Sequence, residues 1–140
     1  MNYVDSFIAV AEDCPVGAAV VPQAKPDKKK SVAVIQYELL AGTPYIYTQE
    51  DVPFQTHAQH KDIPATELEA RGDAPREEFF ARPQACLRTS PLARAYGWGL
   101  HVDHEGKVAL CPMESSAYRT FADGEQGGPT VLKAFRSGRA

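Results

Sequence analysis

The chain has 140 residues, of which 44% are hydrophobic and 24% are charged, and its formal net charge is −3. This length suits one domain, so we expect residues 1–140 to form a single soluble domain. The slight acidic excess provides no basic field for nucleic acid, and no apolar run approaches the ~20 residues that a membrane span needs. The amino terminus also lacks the segments of a secretory signal. These features predict a cytoplasmic protein that does not contact a membrane.

The three cysteines, Cys14, Cys86 and Cys111, contain no CxxC pair and are too few and too widely spaced for a disulfide framework. We therefore expect three free, semi-buried thiols. The sequence predicts no cofactor.

The amino-terminal part of the chain contains a predicted strand, a loop and a segment of ambiguous pattern. Residues 6–13 are apolar and β-prone and predict the first strand. Prolines and lysines make the next stretch a loop, which we expect to be mobile over about residues 22–30. Residues 31–42 fit the alternation of a strand and also the spacing of a helix that ends at Gly42. A helix or a mixed element is the preferred interpretation.

The segment that begins at Thr48 is open between a helix and a strand. Thr48 and Asp51 have the spacing of a capping box, which favours a short helix over residues 48–60. Pro53 removes a backbone donor soon after, so an edge strand over residues 52–58 is a rival.

Two short helices and a strand are predicted next. Pro64 and Gly72 delimit the first helix, because proline favours the start of a helix and glycine its end. The second helix spans residues 74–82 and has Asp73 as its expected cap. Residues 84–88 are predicted as a short strand.

A third short helix leads into a hairpin. Ser90 is a suitable N-cap, Pro91 occupies the first helical position, and Gly97 ends the helix in the left-handed conformation. Residues 98–103 and 107–111 then form the two hairpin strands.

Gly106 fits the positive-φ position of a hairpin turn and sets the register of the two strands. This register gives one wholly apolar face and leaves the face with His101 reachable. On that second face Asp103 opposes Lys107 as an opposite-charge pair, and Gly99 leaves space for a close neighbour. The predicted cross-strand pairs are Trp98–Pro112, Gly99–Cys111, Leu100–Leu110, His101–Ala109 and Val102–Val108.

A helix over residues 113–121, capped by Ser115 or Glu114, and a short apolar element complete the chain. The predicted fold class is α+β: a single compact domain in which helices pack on a small, mainly antiparallel sheet. The strands expected in that sheet are residues 7–11, 98–103 and 107–111.

Six motifs give the chain a recognisable pattern: FIAVAEDCP (7–15), VAVIQYELLA (32–41), YTQEDV (47–52), EEFFARPQACLRTSPLARAYGWGLH (77–101), GKVAL (106–110) and KAFRS (133–137). On these motifs the chain resembles a family of small uncharacterised bacterial and fungal proteins, classed as a domain of unknown function. The resemblance covers nearly the whole chain. It implies a stand-alone soluble protein and supplies no catalytic residues that can be carried over.

Four residues near the hairpin form the predicted ligand site: Arg88, Ser90, Tyr96 and His101. Arg88 would bind a phosphate or carboxylate that lies on the free backbone amides of residues 90–92. The leading hypothesis is therefore a non-enzymatic module that binds a small anionic ligand or a protein partner in a groove beside these residues. The sequence does not indicate the oligomeric state.

The alternative is a small enzyme that acts on an anionic substrate with His101 as the acid–base group. A nucleophilic Cys111 would need His101 within hydrogen-bond reach, but the register places them as diagonal neighbours, about 7–8 Å apart. His57 and His60 have helical i, i+3 spacing. This pair alone is too little for a metal site, so no metal is predicted.

Nucleic-acid binding is the third hypothesis. It would use the basic carboxyl-terminal tail, with Lys133, Arg136 and Arg139. The acidic overall balance argues against it.

Overall fold

The computed structural model describes residues 3–124 and 128–136 of the chain. In this part of the chain the helices and strands follow the order β1 (Ser6–Ala9), α1 (Val32–Ala41), α2 (Asp51–His60), α3 (Ala65–Arg71), α4 (Ala74–Phe80), α5 (Pro91–Ala95), β2 (Trp98–Val102), β3 (Val108–Pro112), α6 (Ser116–Ala122) and β4 (Thr130–Lys133). A single 3-10 turn, Leu87–Thr89, precedes α5.

A four-stranded sheet with the order β3-β2-β1-β4 organises the fold. The β1–β2 and β2–β3 pairs are antiparallel, and the β1–β4 pair is parallel. The α+β class with a mainly antiparallel sheet is therefore confirmed. The parallel strand β4 was missing from the predicted sheet, because four residues carry too little periodicity to separate a strand from a loop.

The hairpin of β2 and β3 has all five predicted cross-strand pairs. Gly106 has the expected positive φ, +80°. Asp103 Oδ1 accepts hydrogen bonds from the backbone N–H groups of Glu105 and Lys107, both at 2.9 Å. The Asp103 N–H donates to the Lys107 carbonyl at 2.9 Å, so these two oppositely charged residues lie across from each other as predicted, while Lys107 Nζ lies 3.2 Å from the Glu105 carboxylate.

The predicted caps around the hairpin are confirmed. Ser90 Oγ accepts the N–H of Leu92 at 3.3 Å at the start of α5, and Gly97 follows that helix with a φ of +81°. At α6 the cap is Ser115, whose Oγ accepts the N–H of Tyr118 at 3.1 Å.

Both faces of the sheet are covered by helices. On one face the apolar residues of the hairpin pack against α1, α2 and α5. The most buried members of this larger core are Ile8, Ile35, Leu40, Val52, Leu92, Leu100, Val102 and Val108. On the other face α6 covers a smaller core, which consists of Phe7, Ala9 and Cys111 with Tyr118, Phe121, Ala122 and Val131. The face that carries His101 is therefore less open than the hairpin pattern indicated.

The two ambiguous segments are helices. Ser31 Oγ accepts the N–H of Val34 at 3.3 Å and caps α1, whose pattern was ambiguous because residues on several of its sides are buried. Before α2, Asp51 N–H donates to Thr48 Oγ1 at 3.0 Å and Thr48 N–H donates to Asp51 Oδ2 at 2.9 Å, which is the predicted capping box. Pro53 is the third residue of α2 and lies within its first turn, where proline is tolerated, so the edge strand is wrong.

Two predictions near α4 are wrong. This helix ends at Phe80, and Asp73 makes no side-chain cap bond because its φ of −82° and ψ of −11° are helical rather than extended. Residues 84–88 form no strand. Gln84 Nε2 donates to the Phe79 carbonyl at 2.7 Å, and the chain then enters the 3-10 turn.

The long loop between β1 and α1 is anchored in its first part. Trp98 Nε1 donates to the Val20 carbonyl at 2.8 Å, and the Ala19 N–H donates to the Glu114 carboxylate at 3.0 Å. Residues 22–30 contain neither helix nor strand, and their mobility stays a prediction.

Candidate ligand site

The structure does not bring the four predicted site residues into one groove. Ser90 contacts α1 on one face of the sheet, whereas His101 stacks on α6 on the opposite face. Arg88 points to the end of β4. The fourth residue, Tyr96, packs against the larger core.

Ser90 forms a buried hydrogen bond with α1. Its hydroxyl donates to Gln36 Oε1 at 2.6 Å and also accepts the N–H of Leu92. Ser90 is 4% exposed and Gln36 is 8% exposed. Among the side-chain hydrogen bonds of the described residues, the side-chain amide of Gln36 takes part only through its oxygen, Oε1.

Ser90 and Gln36 line an open cleft between α1, α2 and the segment that leads into α5. The cleft has a volume of about 320 Å³. We call it the Ser90 cleft; its lining residues are Val32, Gln36, Pro53, Thr56, His57, His60, Phe79, Gln84, Ala85, Cys86, Leu87, Thr89, Ser90 and Pro91. Half of these described lining residues are apolar, the other half carry a hydroxyl, amide or imidazole group, and none of them is Asp, Glu, Lys or Arg.

His57 and His60 bring two imidazoles to the Ser90 cleft. Their spacing places both on one side of α2, and His57 also packs on Phe79, with ring centroids 4.8 Å apart. In the sequence this pair is only a weak metal motif. Its i, i+3 spacing was the signal that both side chains share one face, but nothing in the sequence joined them to Ser90.

Arg88 is held at the end of β4. Its Nε donates to the Lys133 carbonyl at 2.6 Å, and its Cζ lies 4.3 Å above the centroid of the Phe135 ring. The predicted anion site at residues 90–92 is wrong in this respect, because the hydroxyl of Ser90 already accepts the N–H of Leu92 and Arg88 points elsewhere.

Tyr96 has a structural environment. It is half-buried against the larger core, and its carbonyl accepts the N–H of Val20 at 2.8 Å. This bond ties the long loop to the end of α5.

His101 lies on the α6 face and is paired with Tyr45. Its Nδ1 is 2.7 Å from Tyr45 Oη, and its ring stacks on Phe121 with centroids 4.2 Å apart. Burial lowers the pKa of His101, although Asp103 and Asp5 act in the opposite direction. The imidazole is therefore oriented and favoured in its neutral form, which suits a proton acceptor.

Two residues near His101 have a left-handed backbone, Tyr45 with a φ of 58° and Asp5 with a φ of 45°. This conformation is strained for residues other than glycine, and such strain is frequent at functional sites. Asp5, His101, Gly128 and Pro129 line a second cleft of about 460 Å³.

A model of one protein family, described as a family of unknown function (DUF6157), matches residues 1–140. The chain belongs to this family. The match confirms the resemblance to an uncharacterised family that the motifs indicated. No curated protein and no solved structure matches this DUF6157 chain.

No helix in the described part of the DUF6157 chain is both long enough and apolar enough to cross a bilayer.

The thiols of this DUF6157 protein are free in the described structure. Cys111 is buried, and its Sγ lies 3.6 Å from Ser115 Oγ. Burial raises the pKa of the Cys111 thiol. Because a nucleophile needs the thiolate, and because His101 is paired with Tyr45, the structure argues against a Cys111–His101 nucleophile.

Metal-binding side chains and the basic tail are the features relevant to a metal site and to nucleic-acid binding. Residues 3–124 and 128–136 contain no group of three or more His, Cys, Asp or Glu side chains that could hold a metal ion. In the basic tail, Lys133 and Arg136 both bind Glu12. Arg139 lies outside the described residues.

Proposed function

We propose that the chain is a binding module for a small polar ligand, which it holds in the Ser90 cleft. The supporting observation is the hydrogen-bonded pair of Ser90 and Gln36, because two polar side chains that are more than nine-tenths buried lie in the wall of a partly apolar cleft. Ligand sites commonly combine apolar walls with a few placed polar groups.

The lining of the cleft favours one class of ligand. The Ser90 hydroxyl already donates a hydrogen bond to the side-chain oxygen of Gln36. The side-chain NH2 group of Gln36 is therefore the donor that remains for a ligand. His57 and His60 add two imidazoles, and Phe79 adds an aromatic surface. A cleft without charged carboxylates, ammonium or guanidinium groups fits a neutral or singly anionic ligand with one apolar side.

The proposal places the protein in the cytoplasm. Its three cysteines are unpaired, as is usual in a reducing compartment.

A thermal-shift screen of small carboxylates, amides and sugars tests the proposal. A ligand at 100 times its Kd should stabilise the protein by about 2.7 kcal/mol. Ala85→Trp would fill the cleft from an exposed position, and Ala117→Trp is the matched control on the exposed side of α6. We expect the stabilisation to disappear in Ala85→Trp and to persist in Ala117→Trp. A screen without a stabilising compound, or an equal effect in Ala85→Trp, would contradict the proposal.

A second candidate function is acid–base catalysis by His101. The supporting observation is the 2.7 Å contact between His101 Nδ1 and Tyr45 Oη, beside the strained backbone of Tyr45 and Asp5. The nearby carboxylates of Asp5 and Asp103 favour a neutral or cationic substrate over the anionic substrate expected from the sequence. The test measures turnover of a neutral or cationic substrate. Turnover that is lost in His101→Gln and kept in Ala85→Trp would separate this function from binding in the Ser90 cleft.

A further inference from the structure

Two arginines converge on the segment at the end of β4. Arg88 Nε donates to the Lys133 carbonyl at 2.6 Å, and Arg94 Nη2 donates to the Arg136 carbonyl at 3.2 Å. These carbonyls are three residues apart, and three extended residues span at most about 11 Å. The two arginine side chains are therefore anchored to the same short stretch of backbone.

The stretch of backbone that the two arginines bind also carries two cations paired with Glu12. The Glu12 carboxylate binds Lys133 at 2.8 Å and also Arg136. Hydrogen bonds and charge attraction from these two cations lower the pKa of Glu12 to about 2. The Glu12 carboxylate is thus already shared by two cations.

Arg94 also has a buried donor without a partner. Its Nε is the single buried side-chain nitrogen or oxygen in the described part of the chain that makes no hydrogen bond. More than about 90% of buried polar groups in proteins are hydrogen-bonded, so an unpaired guanidinium N–H calls for an acceptor.

Arg88 is preorganised by an aromatic ring. Its Cζ lies 4.3 Å from the centroid of Phe135, a residue that is 44% exposed. Stacking fixes the plane of the guanidinium group, and its hydrogen bond to the backbone uses only Nε. Its terminal N–H groups are thereby available to a ligand at low entropic cost.

We infer that Arg88 and Arg94 form a binding site for a phosphoryl group at the end of β4. A phosphoryl group carries nearly two negative charges and three terminal oxygens, whereas a carboxylate has one charge and two oxygens. Two guanidinium groups with several free donors therefore match the phosphoryl group better. This site is distinct from the Ser90 cleft, because the side chain of Ser90 points to α1 and that of Arg88 points to β4.

The experiment is an NMR titration of the wild-type protein with inorganic phosphate and with glycerol phosphate, at constant ionic strength. We expect saturable shifts of the Nε–Hε signals of Arg88 and Arg94, and weaker binding of acetate. The arm with glycerol phosphate shows whether a phosphomonoester binds as well as the free ion. Arg88→Gln and Arg94→Gln should each raise the Kd at least tenfold.

Arg119→Gln is the matched control. Arg119 also donates to a backbone carbonyl, that of Glu114, but it lies on α6. Arg119→Gln should leave the Kd for phosphate unchanged. Ala85→Trp should also leave it unchanged, so that a failure of the phosphoryl site is distinguishable from a failure of ligand binding in the Ser90 cleft. Shifts that do not saturate, equal affinity for acetate and phosphate, or an equal loss in Arg119→Gln would overturn the inference. If Arg94→Gln does not fold, the Kd values of the wild-type protein and of Arg88→Gln still test the inference.

Discussion

Ser90 Oγ donates a hydrogen bond of 2.6 Å to Gln36 Oε1 across 54 positions of sequence, and both side chains are more than nine-tenths buried. This bond connects the start of α5 to the middle of α1. The same pair lies in the wall of the cleft to which we assign ligand binding. One interaction therefore contributes to both stability and the proposed function.

Ser90→Ala should be costly. It removes the cap of α5 and leaves the buried carbonyl oxygen of Gln36 without its donor, for a combined loss of about 2–4 kcal/mol in the free energy of unfolding. Ser31→Ala is the matched control, because Ser31 caps α1 from an exposed position and has no such partner. It should cost about 1 kcal/mol. Urea denaturation measures both values, and equal losses would show that the bond to Gln36 adds nothing.

Gly99→Ala should also destabilise the protein. A Cβ atom there would lie 2.6 Å from Phe7 Cζ and 2.9 Å from Tyr118 Cε2, which confirms that a close neighbour fills the space beside this glycine. Overpacking of this kind costs about 1–3 kcal/mol. Gly42→Ala provides the comparison, because Gly42 has a φ of −97° and an added methyl group would meet no atom within 4 Å among the described residues. A neutral result for Gly99→Ala in denaturant unfolding would mean that α6 sits farther from the sheet.

His101 should make stability depend on pH. Burial lowers its pKa in the folded protein below the ordinary value of 6.5, so the unfolded chain binds the proton more readily. Stability is therefore lost as the pH falls from 6.5 through the lower pKa of the folded state. Tyr45, Asp5 and Asp103 are the titratable groups around the imidazole.

The check is the change in unfolding free energy between neutral and mildly acidic pH. His101→Gln should reduce this change, whereas His104→Gln, at an exposed turn position, should leave it as in the wild type. NMR titration of the His101 ring gives the pKa directly. A value above 6.5 would contradict the prediction.

The capping box before α2 should be worth about 1 kcal/mol. Thr48→Ala removes the acceptor of the Asp51 N–H, a 3.0 Å bond that helps to start the helix. Thr120→Ala is a suitable control, because Thr120 is exposed on α6 and its hydroxyl bonds only within its own helix. Thermal unfolding of the two variants should differ, with the lower Tm in Thr48→Ala. Equal Tm values would contradict this role.

Local chemistry made part of the fold predictable. The hairpin register followed from Gly106 and from the alternation of its two strands, because a shift by one residue would bury Lys107 and Asp103. The cap at Ser90 and the box at Thr48 were likewise local signals. The prediction of a strand over residues 84–88 was wrong. Their short apolar run does not reveal that the Gln84 side chain donates a hydrogen bond to the end of α4.

The site was less predictable, because its parts come together only in the folded chain. Arg88 and Ser90 are two residues apart, yet one side chain points to β4 and the other to α1. His101 was assigned to the same groove because the hairpin pattern does not show that α6 packs on its face. The imidazoles of α2 join Ser90 through tertiary packing alone.

The central claim is that a small ligand binds in the Ser90 cleft. Its most direct test is an amide chemical-shift map of the wild-type protein, titrated with the most stabilising compound from the thermal-shift screen. We expect the largest shifts at the cleft residues Gln36, His57, His60, Cys86 and Ser90. Largest shifts at Tyr45, His101 and Phe121, on the opposite face of the sheet, would contradict it.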